Sequence, residues 1–372
     1  MNERKPVFIL FVAALIFRVI HCVVFANEII PGSDQMQEIA LGQEFAAGNF
    51  YGVLDTYWAP LYPILIGIAS RFIDSPVVPA MVVSVLAGSL IVPLTYIFVL
   101  QSYNRRKAFI AAAFAFFFPH LINSVVTLGS ENVFIALVLA VLIVTWYAVL
   151  AGSTLLCFLA GFLLGLAYLC RPEAFGYLLY IALVVVAHSI WEKSPILSIT
   201  MPQIAVILLG FFLIATPYLL YLRSETGRWT ISGKTEINTI VSELDAESDS
   251  VGGRTGPPIK EVAKYFVYNL IEVQKALPVL LPLQLWLFVG LGLFGNAWGK
   301  VRFEREFFLI LFVLVTIFGY AAAVVQLRYL YVLLPILFGW TAHGIVNFVN
   351  WLNDTVQNWS RRTALILGPR LV

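Results

Sequence analysis

The sequence predicts an all-α polytopic membrane protein with about ten transmembrane helices and with amphipathic interfacial helices in its first outer loop. Composition leads to this fold class. Hydrophobic residues make up 60% of the 372 residues and charged residues only 12%, and the mean hydropathy is +0.90. A soluble chain of this length would carry about twice as much charge. The net charge of +2 gives no sign of a nucleic-acid partner.

The apolar segments have lengths that suit a bilayer, because a spanning helix needs about 20 mostly apolar residues. Ten segments meet this requirement: 6–26, 77–102, 107–127, 131–150, 153–170, 174–191, 204–223, 279–297, 306–326 and 329–349. The first is similar to a signal peptide, but Arg18 and His21 interrupt its apolar run, so we expect a retained helix. Cys22, Cys157 and Cys170 lie in these segments at no metal-ligand spacing, which favours core roles.

The first loop, residues 27–76, is polar, amphipathic and aromatic where its surroundings are apolar. We expect two surface helices in it, 35–47 and 56–73. The second is short, opens with a Tyr-Trp-Ala-Pro turn and ends in charged residues, which is typical of an interfacial rather than a spanning helix.

The basic loops set the predicted topology. If the N-terminus is cytoplasmic and 56–73 does not cross, the cytoplasmic side receives the basic clusters Arg4-Lys5, Arg105-Arg106-Lys107, Lys193, Lys300 with Arg302 and Arg305, and Arg361-Arg362. This arrangement follows the positive-inside rule, whereas an eleventh crossing would move the second of these clusters outside. We therefore predict ten crossings with both termini inside.

On this topology residues 1–349 form one transmembrane domain, whose outer side carries the first loop, 27–76, and a long loop, 224–278. The long loop contains an acidic, Gly-rich stretch and ends in an amphipathic helix. A loop of this length is either functional or a flexible connector, and the sequence leaves both open. Residues 350–372 form an amphipathic tail, expected on the cytoplasmic surface.

Ionisable residues near the ends of the spans sort to one membrane face. Such groups are costly in a bilayer, so each is a candidate functional residue. The outer face receives Asp34, Glu131, Arg171, Glu173, Arg223, Arg228 and Arg328. The basic loops that define the topology lie on the opposite side, so this sorting is independent of them.

A structural interpretation of each charge stays open: a salt bridge between Arg171 and Glu173, helix capping by Glu131 or Asp34, and an interfacial anchor made by Arg328 with Tyr329. Together, however, the set has a common chemistry. A carboxylate at the water–lipid boundary can act as a general base, and a guanidinium presents a planar fork for phosphate oxygens. Beside a lipid-accessible cavity, these groups suit a substrate with a phosphate head and a lipid tail.

The motifs that contain these charges follow one another in the order Ser33-Asp34-Gln35-Met36-Gln37-Glu38, Ala59-Pro60-Leu61-Tyr62-Pro63, Gly129-Ser130-Glu131-Asn132, Cys170-Arg171-Pro172-Glu173, and Arg328-Tyr329 with Pro335. In this order they resemble the GT-C superfamily of membrane glycosyltransferases. The resemblance is to the glycosyltransferase family 39 group, with its protein O-mannosyltransferases and the aminoarabinose transferases that modify lipid A. It covers residues 6–345.

The resemblance implies a GT-C fold and an inverting sugar transfer. The donor would be a sugar on a polyprenyl phosphate, bound from the outer leaflet, and the acceptor a protein, lipid or glycan that the sequence leaves unidentified. Asp34 matches the first-loop aspartate that activates the acceptor. We expect the substrate to contact Glu131, Arg171, Glu173, Arg328, Tyr329, Tyr57, Tyr62 and Lys234. Of these, Arg328 would face the phosphate, and the two tyrosines of the first loop can instead anchor that loop.

One departure concerns the second acid. Many relatives carry Asp-Glu in the first loop, where this chain has Asp34-Gln35, which leaves Glu38 or Glu131 as the candidate. We expect no cofactor, since nucleotide and zinc motifs are absent from the sequence and a divalent metal between Asp34 and Glu131 is not favoured.

The resemblance and the topology would place the protein in a bacterial inner membrane, among membrane lipids, with its active site facing the periplasm. Two other functions remain as alternatives. A transporter or lipid-linked glycan flippase would gather charges near the bilayer midplane. A glycan polymerase or ligase would share the architecture.

Overall fold

The structure, a computed structural model, describes residues 3–25, 31–193, 200–234 and 259–367, and within these ranges it contains helices and no strand. The predicted all-α class is therefore confirmed. The α-helices are α1 (Arg4–Val24), α2 (Ser33–Ala46), α3 (Leu61–Ser70), α4 (Val78–Ser102), α5 (Arg105–Phe117), α6 (Pro119–Asn123), α7 (Glu131–Ala151), α8 (Thr154–Cys170), α9 (Tyr177–Trp191), α10 (Met201–Thr226), α11 (Ile259–Leu280), α12 (Leu283–Phe294), α13 (Lys300–Ala322) and α14 (Leu334–Leu367). Two 3-10 helices cover Pro172–Gly176 and Leu327–Leu333.

In the described part of the chain, seven helices are long and apolar enough to cross a membrane, and the bent pair α11–α12 would make eight. The seven are α1, α4, α7, α10, α13, and α9 and α14 together with the 3-10 helices that precede them. The predicted count of ten is therefore not confirmed. One of the three remaining predicted spans, 153–170, is the single apolar helix α8, which has 17 residues.

Proline explains why the other two predicted spans, 107–127 and 279–297, are not single helices. The predicted span 107–127 is broken at Phe118, whose backbone is extended (φ −72°, ψ 124°), and a new helix begins at Pro119. Proline disfavours a helical conformation in the residue before it and has no N–H to donate. In the predicted span 279–297, α11 and α12 meet at 99° where Pro282 precedes α12.

The two helices predicted in the first outer loop are present as α2 and α3, which pack against each other. The second begins later than predicted, at Leu61, because the preceding residues form a turn around Asp55. Its ten residues are too few to cross a bilayer. Tyr62 and Ile66 on its inner face are completely buried.

Close contact between α8 and α10 depends on two glycines. A Cβ atom at Gly161 would collide with the carbonyl oxygen of Ile207, and one at Gly210 with that of Phe158. Small residues let membrane helices approach this closely, so that dispersion contacts replace the missing hydrophobic drive.

The bundle has two chemically different ends. At one, called the site end, the start of α7, the end of α8, the end of α13, the helix α2 and both 3-10 helices come together. At the other, called the basic end, the starts of α5 and α13 lie beside α14.

Parts of the predicted loop and tail lie outside the described residues. For the long loop, these are 235–258, which include the acidic Gly-rich stretch; the predicted amphipathic helix is the start of α11. The helix α14 continues through the boundary predicted at 349/350 as far as Leu367, and residues 368–372 are not described. The division into domain and tail stays a prediction.

Candidate active site

Five charged side chains form a continuous chain of ion pairs at the site end, with acid and base alternating. Asp34 Oδ2 lies 3.2 Å from Arg328 Nη2, and Arg328 Nε lies 3.5 Å from Glu131 Oε1. The same Glu131 oxygen lies 3.1 Å from Arg171 Nη1, and Arg171 Nη2 lies 3.4 Å from Glu173 Oε1. The structure thus brings together five of the predicted site residues.

The chain of ion pairs runs from the protein interior to its surface. The side chains of Glu131 and Arg171 are each 8% exposed, whereas those of Arg328 and Asp34 are 33% and 43% exposed. A buried pair is costly to break, because removing one partner leaves an uncompensated charge. The inner pair is therefore a rigid support, and the outer pair is the part that a ligand can reach and rearrange.

The helix termini explain how these side chains meet. Glu131 is the first residue of α7, and Arg171 follows the end of α8, so both point from helix ends into one space. Asp34 lies in the first turn of α2, whose N-cap is Gly32. Asp34 is therefore not the cap that one interpretation of the sequence assigned to it, and its carboxylate is free to contact Arg328.

Tyr329 connects the two arginines. The Arg171 guanidinium carbon lies 4.4 Å and that of Arg328 5.5 Å from its ring centroid, distances typical of cation–π contacts. A small cavity opens beside them, lined by Glu131, Phe134, Ile135, Arg171, Tyr320, Arg328, Tyr329 and Val332. The cavity therefore combines charged groups with an apolar wall.

Lys234 lies on an aromatic shelf from the first loop. Its Nζ is 4.8 Å from the ring centroids of both Tyr57 and Trp58. Burial lowers the pKa of Lys234, and the nearby Glu173 carboxylate opposes that shift. Burial and the charge of Asp34 raise the pKa of Tyr57.

Hydrogen bonds hold the shelf in position. The Asp55 carboxylate accepts from the backbone N–H groups of Tyr57 and Trp58 at 2.7 and 2.9 Å. The N–H of Gly233 donates to the Thr56 carbonyl at 2.9 Å, and a Cβ at Gly233 would lie 2.6 Å from that oxygen. The first loop and the segment that carries Lys234 are thus joined by backbone contact.

Tyr62 is placed differently from the other predicted site residues. It is completely buried, and its hydroxyl donates to the Leu128 carbonyl at 2.6 Å and lies 3.1 Å from Ser84 Oγ. It joins α3 to the loop before α7. This geometry favours a packing role for Tyr62 over a contact with substrate.

Other predicted charges lie away from the ion-pair chain. Arg18 is completely buried in the bundle and donates to the Ala115 carbonyl at 3.2 Å. Arg223 packs over the ring of Trp229, 4.5 Å from its centroid. The three cysteines are free and buried, and their burial agrees with the predicted core roles.

Glu38 is a further acidic residue of the site, one helical turn after Asp34 in α2. Its side chain is buried. Burial and the nearby Glu131 carboxylate raise the pKa of Glu38 to about 8, although Arg171 and Lys234 act in the opposite direction. Near neutral pH this carboxyl group is therefore protonated, and it can donate a hydrogen bond that an ionised carboxylate cannot.

This shift predicts a specific pH dependence of stability. In the unfolded chain Glu38 titrates near 4.5 and in the folded protein near 8, so its contribution to stability is complete below about pH 4.5 and is lost as the pH rises to 8. We expect Glu38→Gln to raise the melting temperature by several degrees at pH 8 and to change it little at pH 4.5. Thermal unfolding in detergent at a series of pH values measures this.

Glu44→Gln is the matched control for that series, because Glu44 lies on the exposed side of the same helix and accepts from Asn49. Equal melting temperatures for Glu38→Gln and the unchanged protein at pH 8 would show that folding does not raise the pKa of Glu38.

Two residues at the site were not among the predicted substrate contacts. The spacing of four residues between Asp34 and Glu38 was a usable signal, because it puts both on one helical face. Tyr320 had no comparable signal, since it is one aromatic residue in an apolar helix. In the structure its ring stacks on Tyr329 with centroids 5.5 Å apart. Its buried hydroxyl has no hydrogen-bond partner in the described part of the chain.

In the ranges that the structure describes, no three His, Cys, Asp or Glu side chains are grouped to hold a metal ion. The expectation that the protein works without a metal or another cofactor stays a prediction.

Residues 58–221 match the family model of dolichyl-phosphate-mannose-protein mannosyltransferase. No curated protein sequence matches the chain. The segment matched by the family model begins at Trp58 on the aromatic shelf and includes Glu131, Arg171 and Glu173.

Solved structures share the fold. ArnT from Cupriavidus metallidurans bound to undecaprenyl phosphate superposes with a TM-score of 0.60 at 13% identity, over 98% of this chain and 65% of ArnT. The Archaeoglobus fulgidus oligosaccharyltransferase, solved with zinc and sulfate, superposes with a TM-score of 0.62 at 14% identity, over 97% of this chain and 51% of the oligosaccharyltransferase. AglB from the same organism, solved with an inhibitory peptide and a dolichol phosphate, superposes with a TM-score of 0.57 at 14% identity, over 96% of this chain and 52% of AglB.

This chain therefore spans about two thirds of ArnT and half of the oligosaccharyltransferase. At these identities the superpositions establish the fold. Together with the family model they confirm the predicted resemblance to GT-C membrane glycosyltransferases.

Proposed function

We propose that this GT-C-type membrane protein transfers a sugar from a polyprenyl phosphate to an acceptor at the outer face of the membrane, with inversion at the anomeric carbon. The observation that carries the proposal is Arg328. It lies between two carboxylates, Asp34 at 3.2 Å and Glu131 at 3.5 Å, and beside a partly apolar cavity. The same side chain can therefore bind a phosphate and position a base.

Arg328 is the proposed ligand of the donor phosphate. It is one-third exposed, and its Nη2 contacts the more exposed of its two carboxylate partners. Phosphate oxygens compete for the same planar fork of N–H groups. Binding of the donor would take Nη2 from Asp34, while Nε keeps its contact with Glu131, so that the Asp34 carboxylate is released from its ion pair and can turn to the acceptor.

The reaction is then a single displacement. Asp34 takes the proton from an acceptor hydroxyl or amine, and the acceptor atom forms a bond to the anomeric carbon from the opposite face. The bond from that carbon to the phosphate oxygen breaks, and polyprenyl phosphate leaves with the electron pair. Arg328 stabilises the charge that develops on the leaving oxygen, a contribution that fixed donors make well in a water-poor site.

The remaining residues are proposed to support and orient. The buried pair of Glu131 and Arg171 holds Arg328 and the ring of Tyr329 in place. Glu173 completes the ion-pair chain. Lys234, on the shelf of Tyr57 and Trp58, provides a second cation near the donor. Aromatic rings of this kind suit the apolar face of a sugar.

The similar proteins support the choice of donor class, since one solved structure contains undecaprenyl phosphate and another a dolichol phosphate. A transporter function is less compatible with the ion-pair chain. The charges of this chain gather at one end of the bundle, whereas a transporter binds its substrate near the bilayer midplane. The bacterial inner-membrane location is part of the proposal, which names the class of donor and not the sugar or the acceptor.

The role of Arg328 predicts a loss of donor affinity. Hydrogen bonds to charged groups contribute about 1.5–3 kcal/mol, so we expect Arg328→Ala to weaken binding of undecaprenyl phosphate by roughly ten- to a hundredfold. Titration of the detergent-purified chain with undecaprenyl phosphate, followed by intrinsic fluorescence or calorimetry, measures this. Arg328→Lys keeps the charge but loses the planar fork, so its affinity for undecaprenyl phosphate should lie between those of the unchanged protein and Arg328→Ala.

Arg223→Ala serves as the comparison, because it removes an exposed arginine that contacts Trp229 rather than the ion-pair chain. Unchanged affinity in Arg328→Ala, or an equal loss in Arg223→Ala, would remove Arg328 from the phosphate site.

A further inference from the structure

A second charged cluster lies at the basic end of the bundle, and the proposed reaction does not use it. We call it the Tyr103 cluster; it consists of Tyr103, Lys107, Arg302, Arg305, Glu306 and His343. Arg302 and the cavity residue Tyr320 lie on the same helix, α13, about 27 Å apart along its axis at 1.5 Å per residue. The distance between the cluster and the candidate active site is therefore close to the hydrocarbon thickness of a bilayer.

Glu306 is fully committed to the internal structure of the cluster. It is completely buried and accepts from the Tyr103 hydroxyl at 2.7 Å and from Trp340 Nε1 at 2.8 Å. Arg302 Nε lies 3.6 Å away, and the other nitrogens of Arg302 donate to carbonyls at the end of α12. Glu306 and Arg302 therefore neutralise each other.

Two cations remain beside this pair. Lys107 Nζ and the Arg305 guanidinium carbon lie 5.5 and 4.7 Å from the Tyr103 ring centroid, and both residues are half-buried. Within the described ranges no carboxylate forms a salt bridge with either of them, and Arg305 Nε is buried without a hydrogen-bond partner. Two positively charged side chains therefore contact one aromatic ring, and the Nε–H group of Arg305 has no acceptor among the described residues.

His343 adds a polar group to the same spot. Its ring centroid lies 4.6 Å from that of Tyr103, and its buried Nδ1 has no hydrogen-bond partner among the described residues. An anion at the Tyr103 ring edge would reduce the repulsion between Lys107 and Arg305 and could accept from both. A phosphate suits this set, since arginine presents a fork to its oxygens and lysine a point charge.

The surroundings of the cluster indicate which kind of molecule would carry this phosphate. Phe109, Val301 and Phe303, next to the cluster residues in the chain, are 39%, 72% and 44% exposed. Apolar side chains on the outside of a membrane bundle face lipid, and basic pockets at the headgroup level bind anionic lipids. We infer that the Tyr103 cluster binds the phosphate of an anionic phospholipid in the leaflet at the basic end, which the predicted topology makes the cytoplasmic leaflet.

Native mass spectrometry of the full chain in detergent, with phosphatidylglycerol and phosphatidylcholine added separately, tests the inference. We expect phosphatidylglycerol to bind at least about tenfold more tightly, and the double variant Lys107→Gln/Arg305→Gln to lower its affinity to that of phosphatidylcholine, as the loss of two headgroup-level charges predicts. Arg106→Gln removes an exposed charge on the same face and should leave the preference intact.

Three results would overturn the inference: an equal affinity for both lipids, an equal loss in Arg106→Gln, and displacement of the lipid by millimolar inorganic phosphate, which would identify a free-phosphate site instead. If the double variant does not fold, Lys107→Gln alone is measured, and an unchanged lipid preference there counts against the inference. The readout is lipid binding, so it does not depend on the proposed sugar transfer.

Discussion

Replacing Asp34 with asparagine should abolish most of the sugar transfer while leaving the protein folded. A general base contributes about 10²- to 10⁴-fold to a rate, and asparagine cannot take a proton from the acceptor. The Asp34 side chain is 43% exposed, and exposed ion pairs contribute little to stability. We therefore expect the rate to fall by at least about a hundredfold, with an unchanged melting temperature.

The measurement is release of undecaprenyl phosphate from undecaprenyl-phosphate sugars by the purified protein, with membrane extract as the source of acceptor. Glu44→Gln, in the same helix but facing away, should keep full activity. Full activity of Asp34→Asn would exclude Asp34 as the base. If Glu38→Gln were inactive in the same experiment, the role would pass to Glu38.

The second large effect concerns stability rather than chemistry. Arg171→Met should destabilise the protein by about 3–5 kcal/mol, the usual cost of removing one partner of a buried pair. Glu131 would then keep one contact, to the partly exposed Arg328 at 3.5 Å, and Glu173 would lose its partner at 3.4 Å. Urea unfolding in detergent micelles, followed by tryptophan fluorescence, measures the change.

A double variant separates burial of charge from loss of packing. Adding Glu131→Gln to Arg171→Met removes the buried carboxylate that lay closest to Arg171, at 3.1 Å, and should restore part of the lost stability, because a buried charge without its partner is costly. Arg71→Met, at an exposed position after α3, should have almost no effect. A loss below about 1 kcal/mol in Arg171→Met would mean that the inner pair behaves like a surface salt bridge.

Local signals in the sequence account for much of the fold. Composition and hydropathy were sufficient for the membrane class, since only apolar side chains are stable against lipid. Individual helix starts also have visible causes: Asn104 and Ser153 accept backbone N–H groups of Lys107 and Leu156 as N-caps of α5 and α8.

The predicted number of spans is not confirmed, for a reason that the sequence also contained. Pro119 and Pro282 stand inside segments that average hydropathy presents as continuous, and they divide them. Hydropathy measures the preference for lipid over a window of residues, whereas a helix breaks where one residue cannot make its hydrogen bond.

The site shows the same division between local and tertiary causes. The charge pattern placed Asp34, Glu131, Arg171, Glu173 and Arg328 at one membrane face, because each follows or precedes an apolar segment whose ends must lie at an interface. The pair of Arg171 and Glu173, two positions apart, was one interpretation of the sequence and is present at 3.4 Å. The long-range pairs were decided by tertiary structure alone: Arg328 contacts a carboxylate 294 positions earlier in the chain. The burial that raises the pKa of Glu38 to about 8 likewise requires α2 to be packed against its neighbours. The sequence by itself thus determined which chemical groups reach the membrane surface, and only the tertiary structure determined which of them touch, because Coulomb energy and desolvation depend on distance and burial in space.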